Sequence, residues 1–498
     1  MPMTSSVQAR RALAAAVLLA FATEASAERL DLWHRIKADP RMAHPEALSL
    51  TQKKALARDY GVANLLPSTN GTLVPVTNCN DAGPGSLRDA VASAASGDTV
   101  DASALTCGTI TLTTGQMSTI AQYLTIQGPG PDALTITANH ASRILLHAGT
   151  GVLTVYGMTV REGRLSTYGT APARGGCIFS TGKVTLGSLV NRTRQQGVVV
   201  EDCSVESHAE NVTAFGGGVF AIRGVGLSAS VVSGNVASSP LSGGSFGGGV
   251  AVVSTPYGFA YGTFLSKYSE IRGNVAGAVG GGLYVRATTA GLLGTTFAGN
   301  NAGASSGGGG AFILLDDGDA VIQNTTVSGN RSATGRAALT VFGGTITVAG
   351  ATITGNQTQT TSGSNFVGGA EFHGSSIDLE SSIFSGNLLS GAPSDLLTVS
   401  PSNTIVGANN LVGAAVGIVP PNGLITTNNP GLGPLINNGG FTRTHAVLAA
   451  SPAIDTGNNS QNIPLDQRGP GFPRVIGAAA DIGAFERDPN AIFRGGFD

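Results

Sequence analysis

Three consecutive glycines set directly before an aliphatic or aromatic strand form a pattern that few folds can use more than once. This chain repeats it, as "GGGVFAIRG" from Gly216, "GGGVAVVST" from Gly247, "GGGLYVRA" from Gly280, "GGGAFILL" from Gly308 and the shorter "GGAEFHGSS" from Gly368. Aligned on the last glycine, the next position holds Val219, Val250, Leu283, Ala311 and Ala370. Two residues further stand Ala221, Val252, Val285, Ile313 and Phe372. Both columns are apolar. The column between them is mixed, with Phe220, Ala251, Tyr284, Phe312 and Glu371. Alternation with one uniformly apolar face predicts short strands that bury that face.

A second signature runs in step with the first. Asn235, Asn274, Asn300, Asn330, Asn356 and Asn387 each follow a glycine, at spacings of 26 to 39 residues. Three residues before them stand Val232, Ile271, Phe297, Val327, Ile353 and Phe384, again all apolar. Matched columns at this period mean stacked structural repeats. No helix-period pattern separates the strands, which excludes helical repeat families, and a propeller gives no reason for matched asparagines. The expectation is an all-β, right-handed parallel β-helix (solenoid) of around ten coils, with a short N-terminal helical cap and an irregular C-terminal cap. Glycines would turn the corners where a side chain clashes or φ is positive. The asparagines would tolerate left-handed geometry and bond in a ladder along the stack.

The ends read differently. Arg10 and Arg11, the run "ALAAAVLLAFA" and a small-residue cleavage site at Ala25 and Ala27 predict an export signal over 1–27. Residues 28–70 read as a helical or irregular segment and 71–108 as a capping segment, in which Ser86 and Asp89 open an amphipathic helix. The repeats are placed at 109–418, a C-terminal cap at 419–486 and an exposed tail at 487–498. Cys79, Cys107, Cys177 and Cys203 make an even set in an exported chain, hence two disulfides with three possible connectivities. Pairing of sequence neighbours is the simplest. The formal net charge of −2 gives no electrostatic case for nucleic acid, and nothing after the signal is long and apolar enough to span a membrane as a helix.

The segment "CNDAGPGSLRDAVASAASGDTV" resembles the N-terminal region of exported bacterial β-helix proteins with a CSLREA-type domain. "NNGGFTRTHAVLAASPAIDTGN" with "DQRGPGF" and "ADIGAFE" resembles the choice-of-anchor Q domain near the C-terminus of such proteins. The coils between are similar to the pectin-lyase-like β-helix and to the repeats of polymorphic outer-membrane proteins. The resemblance implies a secreted, cell-surface or outer-membrane location. It also implies that Asp455, Asp466, Arg468, Asp481 and Glu486 belong to the C-terminal motif, where a buried Asp–Arg network would lock the cap.

Relatives of this fold often cut acidic polysaccharides, a chemistry that needs acids and bases grouped on one face. The loop Asp316-Asp317-Gly318-Asp319 offers oxygen ligands for Ca²⁺, although a solvated turn explains it as well; no other cofactor is expected. Glu371 and His373 share an outward face and could serve as an acid and base pair. Phe220, Tyr284 and Phe312 could stack on sugar rings. The expected function is therefore a non-enzymatic surface for adhesion or envelope interaction, its partner a surface glycan or an envelope or host component. A polysaccharide lyase or glycoside hydrolase working near Asp316, Asp317, Glu371 and His373 is the alternative, and a structural spacer a further one.

Overall fold

The computed structural model describes residues 71–188, 193–239, 244–254, 262–303, 307–316, 318–333, 335–336, 338–359, 366–401 and 404–490. The expected signal with Ala25 and Ala27, the segment 28–70, Asp317 and the end of the tail lie outside these residues.

One coil shows how the sequence builds the whole. Leu283–Ala287 and Thr289–Leu293 run along a first sheet, Thr296–Ala298 joins a second and Asn301–Ala302 a third. The chain then returns through Gly308 to Gly310, and Ala311–Leu315 lies in parallel register on Leu283–Ala287. Repetition gives a parallel β-helix of about ten coils. The first sheet has 21 strands, because most coils contribute two, and the second has 12. A nine-stranded third sheet and a three-stranded strip beside it complete the wall. The two aligned apolar columns point inward and are buried throughout. Each such Val, Leu or Ile contributes about 1.5–3 kcal/mol of burial, repeated coil after coil.

The corners divide their work between two residues. Gly280 has φ +68°, and a Cβ there would lie 2.3 Å from the Leu283 carbonyl oxygen, so the turn needs glycine. At the other corner the positive φ belongs to the glycine before each asparagine, such as Gly299 at +62°. The expectation of left-handed asparagines is thus corrected, because the glycine takes the strain and frees the side chain to point inward. Each amide then joins a ladder. Asn274 Nδ2 donates to Asn300 Oδ1 at 2.9 Å and to the Val232 carbonyl at 2.9 Å, while the Asn274 backbone N–H donates to the same Asn300 Oδ1 at 3.0 Å. The same bonds link Asn235, Asn274, Asn300, Asn330, Asn356 and Asn387 in order. At the head, the Cys203 backbone N–H donates to Asn235 Oδ1 at 3.0 Å. At the foot, Asn387 donates through both its backbone N–H and Nδ2 to Asp395 Oδ1, each at 2.8 Å.

The disulfides join Cys79 to Cys107 and Cys177 to Cys203. The second has a structural logic. Register aligns Ile178 with Val219 and Val200 with Val232, so Cys177 occupies the place of Gly218 and Cys203 that of Asn235. A covalent bond stands where the next rung of the amide ladder would be.

At the N-terminal end the helix Leu87–Ser93 begins as expected, with the Ser86 hydroxyl accepting from the Asp89 N–H at 3.2 Å. Leu87, Ala90 and Val91 are buried and close the open end of the core. The solenoid reaches further at both ends than the repeat signatures do. Leu73–Pro75 and Thr99–Asp101 already pair in the first sheet, and Ile425–Thr426 ends the second. One further coil, Leu339–Ala349, lies between the coils of Phe312 and Glu371 and lacks the glycine triplet.

The C-terminal segment lies lengthwise along the outer face of the second sheet. Arg443 meets Glu270, His445 Nε2 lies 2.8 Å from Ser328 Oγ, and Ser460 bonds Glu380. Gln467 is fully buried. It accepts from Thr326 Oγ1 at 2.6 Å and donates to Thr296 Oγ1 at 2.7 Å. Within the segment Arg468 bonds Asp466, lies between the rings of Phe472 and Phe485, and donates to the Glu486 carbonyl. Buried Arg474 pairs with Glu486 at 3.4 Å. Burial pushes Glu486 up to about 7 and raises Asp466 and Asp481 as well, even with these arginines beside them.

Candidate functional site

Glu371 is the second residue of the long strand Ala370–Glu380 and faces away from the core, yet it is only 1% exposed. Its Oε1 takes the Arg336 guanidinium and, at 2.5 Å, His373 Nε2. Arg336 lies over the Phe342 ring at 4.8 Å, and Phe342 stacks on His373 at 4.4 Å. The neighbouring rung is Thr340 and Phe342, from the coil without a glycine triplet. Two polar atoms here are buried without a partner, Glu371 Oε2 and Thr340 Oγ1, on adjacent rungs. Chemically, the carboxylate is engaged in fixing the Arg336 guanidinium and the His373 ring and is shielded from any substrate, while His373 keeps part of its ring in solvent.

The structure does not bring the acidic loop to this pair. Asp316 follows a strand two coils earlier, and the strand geometry puts its Cα roughly 16 Å from that of Glu371. Asp316 and Asp319 are exposed, and Asp319 accepts from the Thr345 N–H at 3.2 Å. Among the described residues, no three His, Cys, Asp or Glu side chains are grouped in a way that could hold a metal ion.

The outward aromatics form one continuous row. Phe215 and Phe246 stack at 5.2 Å, Tyr284 and Phe312 at 5.9 Å, and Phe312 passes the row to Phe342 and His373. Where the rings stack on one another along the helix axis, their faces are turned toward neighbouring rings. That arrangement stabilises the corner of the coil and offers little flat face to a sugar.

A recess on the third sheet was not anticipated from the sequence. That sheet begins at Arg164–Thr167, and the coil before it supplies one bond, from the Arg164 N–H to the Ser142 carbonyl, but no strand. The resulting step is an open groove of about 340 Å³, lined by His140, Arg164, Ser204, Glu206, Val236 and Ser238 among others. Register places Arg164 beside Ser204 and Ser166 beside Glu206. Arg164 pairs with Glu206 at 3.0 Å, and His208 Nε2 lies 3.3 Å from Glu206 and 2.9 Å from Ser166 Oγ. Tyr168 stacks on His208 at 4.5 Å with an interplanar angle of 11° and is 78% exposed. Aligning Cys177 and Cys203 with Gly218 and Asn235 would have extended the repeat columns to these residues.

From the groove the third sheet continues as a ledge that no other described segment covers. Val236, Val275, Asn301, Arg331, Gln357 and Leu388 stack rung on rung, and Val275, Asn301, Arg331 and Gln357 are exposed.

The fold and the two disulfides define an elongated parallel β-helix suited to an oxidising, extracellular setting. Comparison with protein-family models, with curated proteins and with solved structures finds no match to this chain.

Proposed function

We propose that this chain is an exported β-helix that acts at or outside the cell surface by binding a partner along its third sheet. The observation that carries this reading is the ledge. One strip of wall, with the groove at its head, is exposed over successive rungs at ~4.8 Å intervals, whereas the second sheet lies beneath the C-terminal segment. The resemblance of the terminal segments to CSLREA-type and choice-of-anchor Q regions supports the same location, and the glycan, envelope or host partner expected above fits it. The test is adhesion of the purified mature chain to immobilised glycans, matrix proteins and intact cells. Binding should be lost when Asn301, Arg331 and Gln357 are replaced together by Glu. Equal binding by this variant, or none by the parent chain, overturns the reading.

A second reading has one specific observation in its favour. His373, fixed by Glu371 and flanked by Arg336, stands beside two unpaired buried polar atoms. An oriented imidazole next to a guanidinium could serve as the base of a polysaccharide lyase. A degradation screen on uronate polymers tests it, with His373→Ala abolishing any unsaturated product.

A further inference from the structure

We infer that the recess at the head of the third sheet is a saccharide site taking a short, uncharged oligosaccharide; this rests on the surface-binding reading above and names its ligand class. Tyr168 is the starting point. One ring face lies on His208, and a residue this exposed leaves the opposite face in water. The stack holds the ring in a fixed plane, so a ligand that covers it loses little side-chain freedom. A sugar presents polarised C–H groups to such a face and hydroxyls around its rim.

The rim needs donors and acceptors side by side, and the groove supplies both. Arg164 only donates, Glu206 when ionised only accepts, and the two are held 3.0 Å apart. Ser204 and Ser238 hydroxyls can do either. Because Arg164 and Glu206 balance in charge, the site is not built for a phosphate, and a metal ion would find a single carboxylate. Arg164 and Tyr168 are four residues apart on an extended run, about 13 Å. That distance exceeds one sugar ring, so one unit would lie on Tyr168 while its neighbour enters the recess. A cavity of about 340 Å³ suits a ligand of this size. The polar groups stand on parallel strands beside the Cys177–Cys203 disulfide, a rigid support.

The test is calorimetric titration of the full mature chain with maltotriose, cellotriose and chitotriose. At least one should bind. Tyr168→Ala should weaken it about three- to tenfold, and Glu206→Gln about tenfold. Asp132→Asn, at an exposed site away from the recess, should leave it unchanged. Saccharide binding indifferent to both groove variants overturns the inference. So does a chain that adheres to cells yet binds none of the three sugars, or that takes an extended peptide along the free edge of Arg164–Thr167; in these cases the surface-binding reading stands. Failure of adhesion and of sugar binding together removes both.

Discussion

The amide of Asn300 shows how much one buried polar side chain can carry. Its Oδ1 accepts from the Asn274 backbone and side chain, and its Nδ2 donates to Asn330 and to the Ile271 carbonyl. Asn300→Ala takes the acceptor from the buried Asn274 backbone N–H and leaves Asn274 Nδ2 with the Val232 carbonyl alone. Removing a partner from a buried group costs about 1–3 kcal/mol, so a loss at the upper end is expected in urea unfolding. Asn301→Ala next to it, exposed on the ledge, should change stability by less than about 0.5 kcal/mol. Glu371 follows the same logic with charge. Glu371→Ala strands Arg336 and His373 without their anion and should destabilise by about 2 kcal/mol, whereas Glu371→Gln keeps an acceptor and should cost less. If Glu371→Ala unfolds like the parent chain, the ion cluster has no structural role.

At the scale of elements, what could be read from the sequence depended on whether a contact recurs. Strands behind Gly216, Gly247, Gly280, Gly308 and Gly368 were legible because the same backbone corner demands the same residue on every coil. Leu339–Ala349 was not, since "GRAAL" fills that corner without the triplet. The groove escaped notice for a related reason. Arg164 and Glu206 are 42 residues apart and meet only through register, in coils where cysteines replace the glycine and asparagine markers. Glu371 and His373 were recognised as neighbours by their i, i+2 spacing, but nothing local showed that Arg336 would cover them. The C-terminal segment was recognised as a unit, while its course along the second sheet depends on contacts such as Gln467 with Thr326, 141 residues away. Gln467→Ala should therefore loosen that segment selectively. Hydrogen exchange over residues 431–490 should speed up while the strands of the first sheet keep their protection; equal acceleration in both would mean that the two unfold as one unit.

For the whole molecule, opposing sets of carboxyl groups shape how stability depends on pH. Burial raises Glu486, Asp466 and Asp481, so their ionisation opposes folding: Glu486's contribution is fully present below its ordinary 4.5 and lost as pH rises through about 7. Asp81, Asp98 and Glu162 are lowered, with Arg88 and the Thr113 and Thr114 groups holding the first despite its partial burial. Their stabilisation is present above the ordinary carboxylate range and is lost as pH falls below it. Buried His147 and His445 are lowered and add stability as pH rises through the imidazole range, so the carboxyl effect is read by difference: relative to the parent chain, Glu486→Gln should gain melting temperature as pH rises from about 4.5 through about 7. A difference between parent and variant that stays constant across this pH range would contradict the assignment. The molecule's length follows from a different feature. Every asparagine in the ladder gives one Nδ2 hydrogen to the next side chain toward the C-terminal end and the other to a carbonyl of the preceding coil, and Asp395 Oδ1 accepts the last donors. The ladder therefore works like a sentence with a full stop: a clause can be inserted anywhere before the stop and none after it. Duplicating residues 275–300 should keep the amide ladder continuous and one rung longer, at the cost of the register in which the C-terminal segment holds Glu270 and Thr326, whereas a ladder coil appended beyond Asp395 would find no amide to accept from. In such a chain, evolution can change reach by copying, without redesigning either end of the ladder.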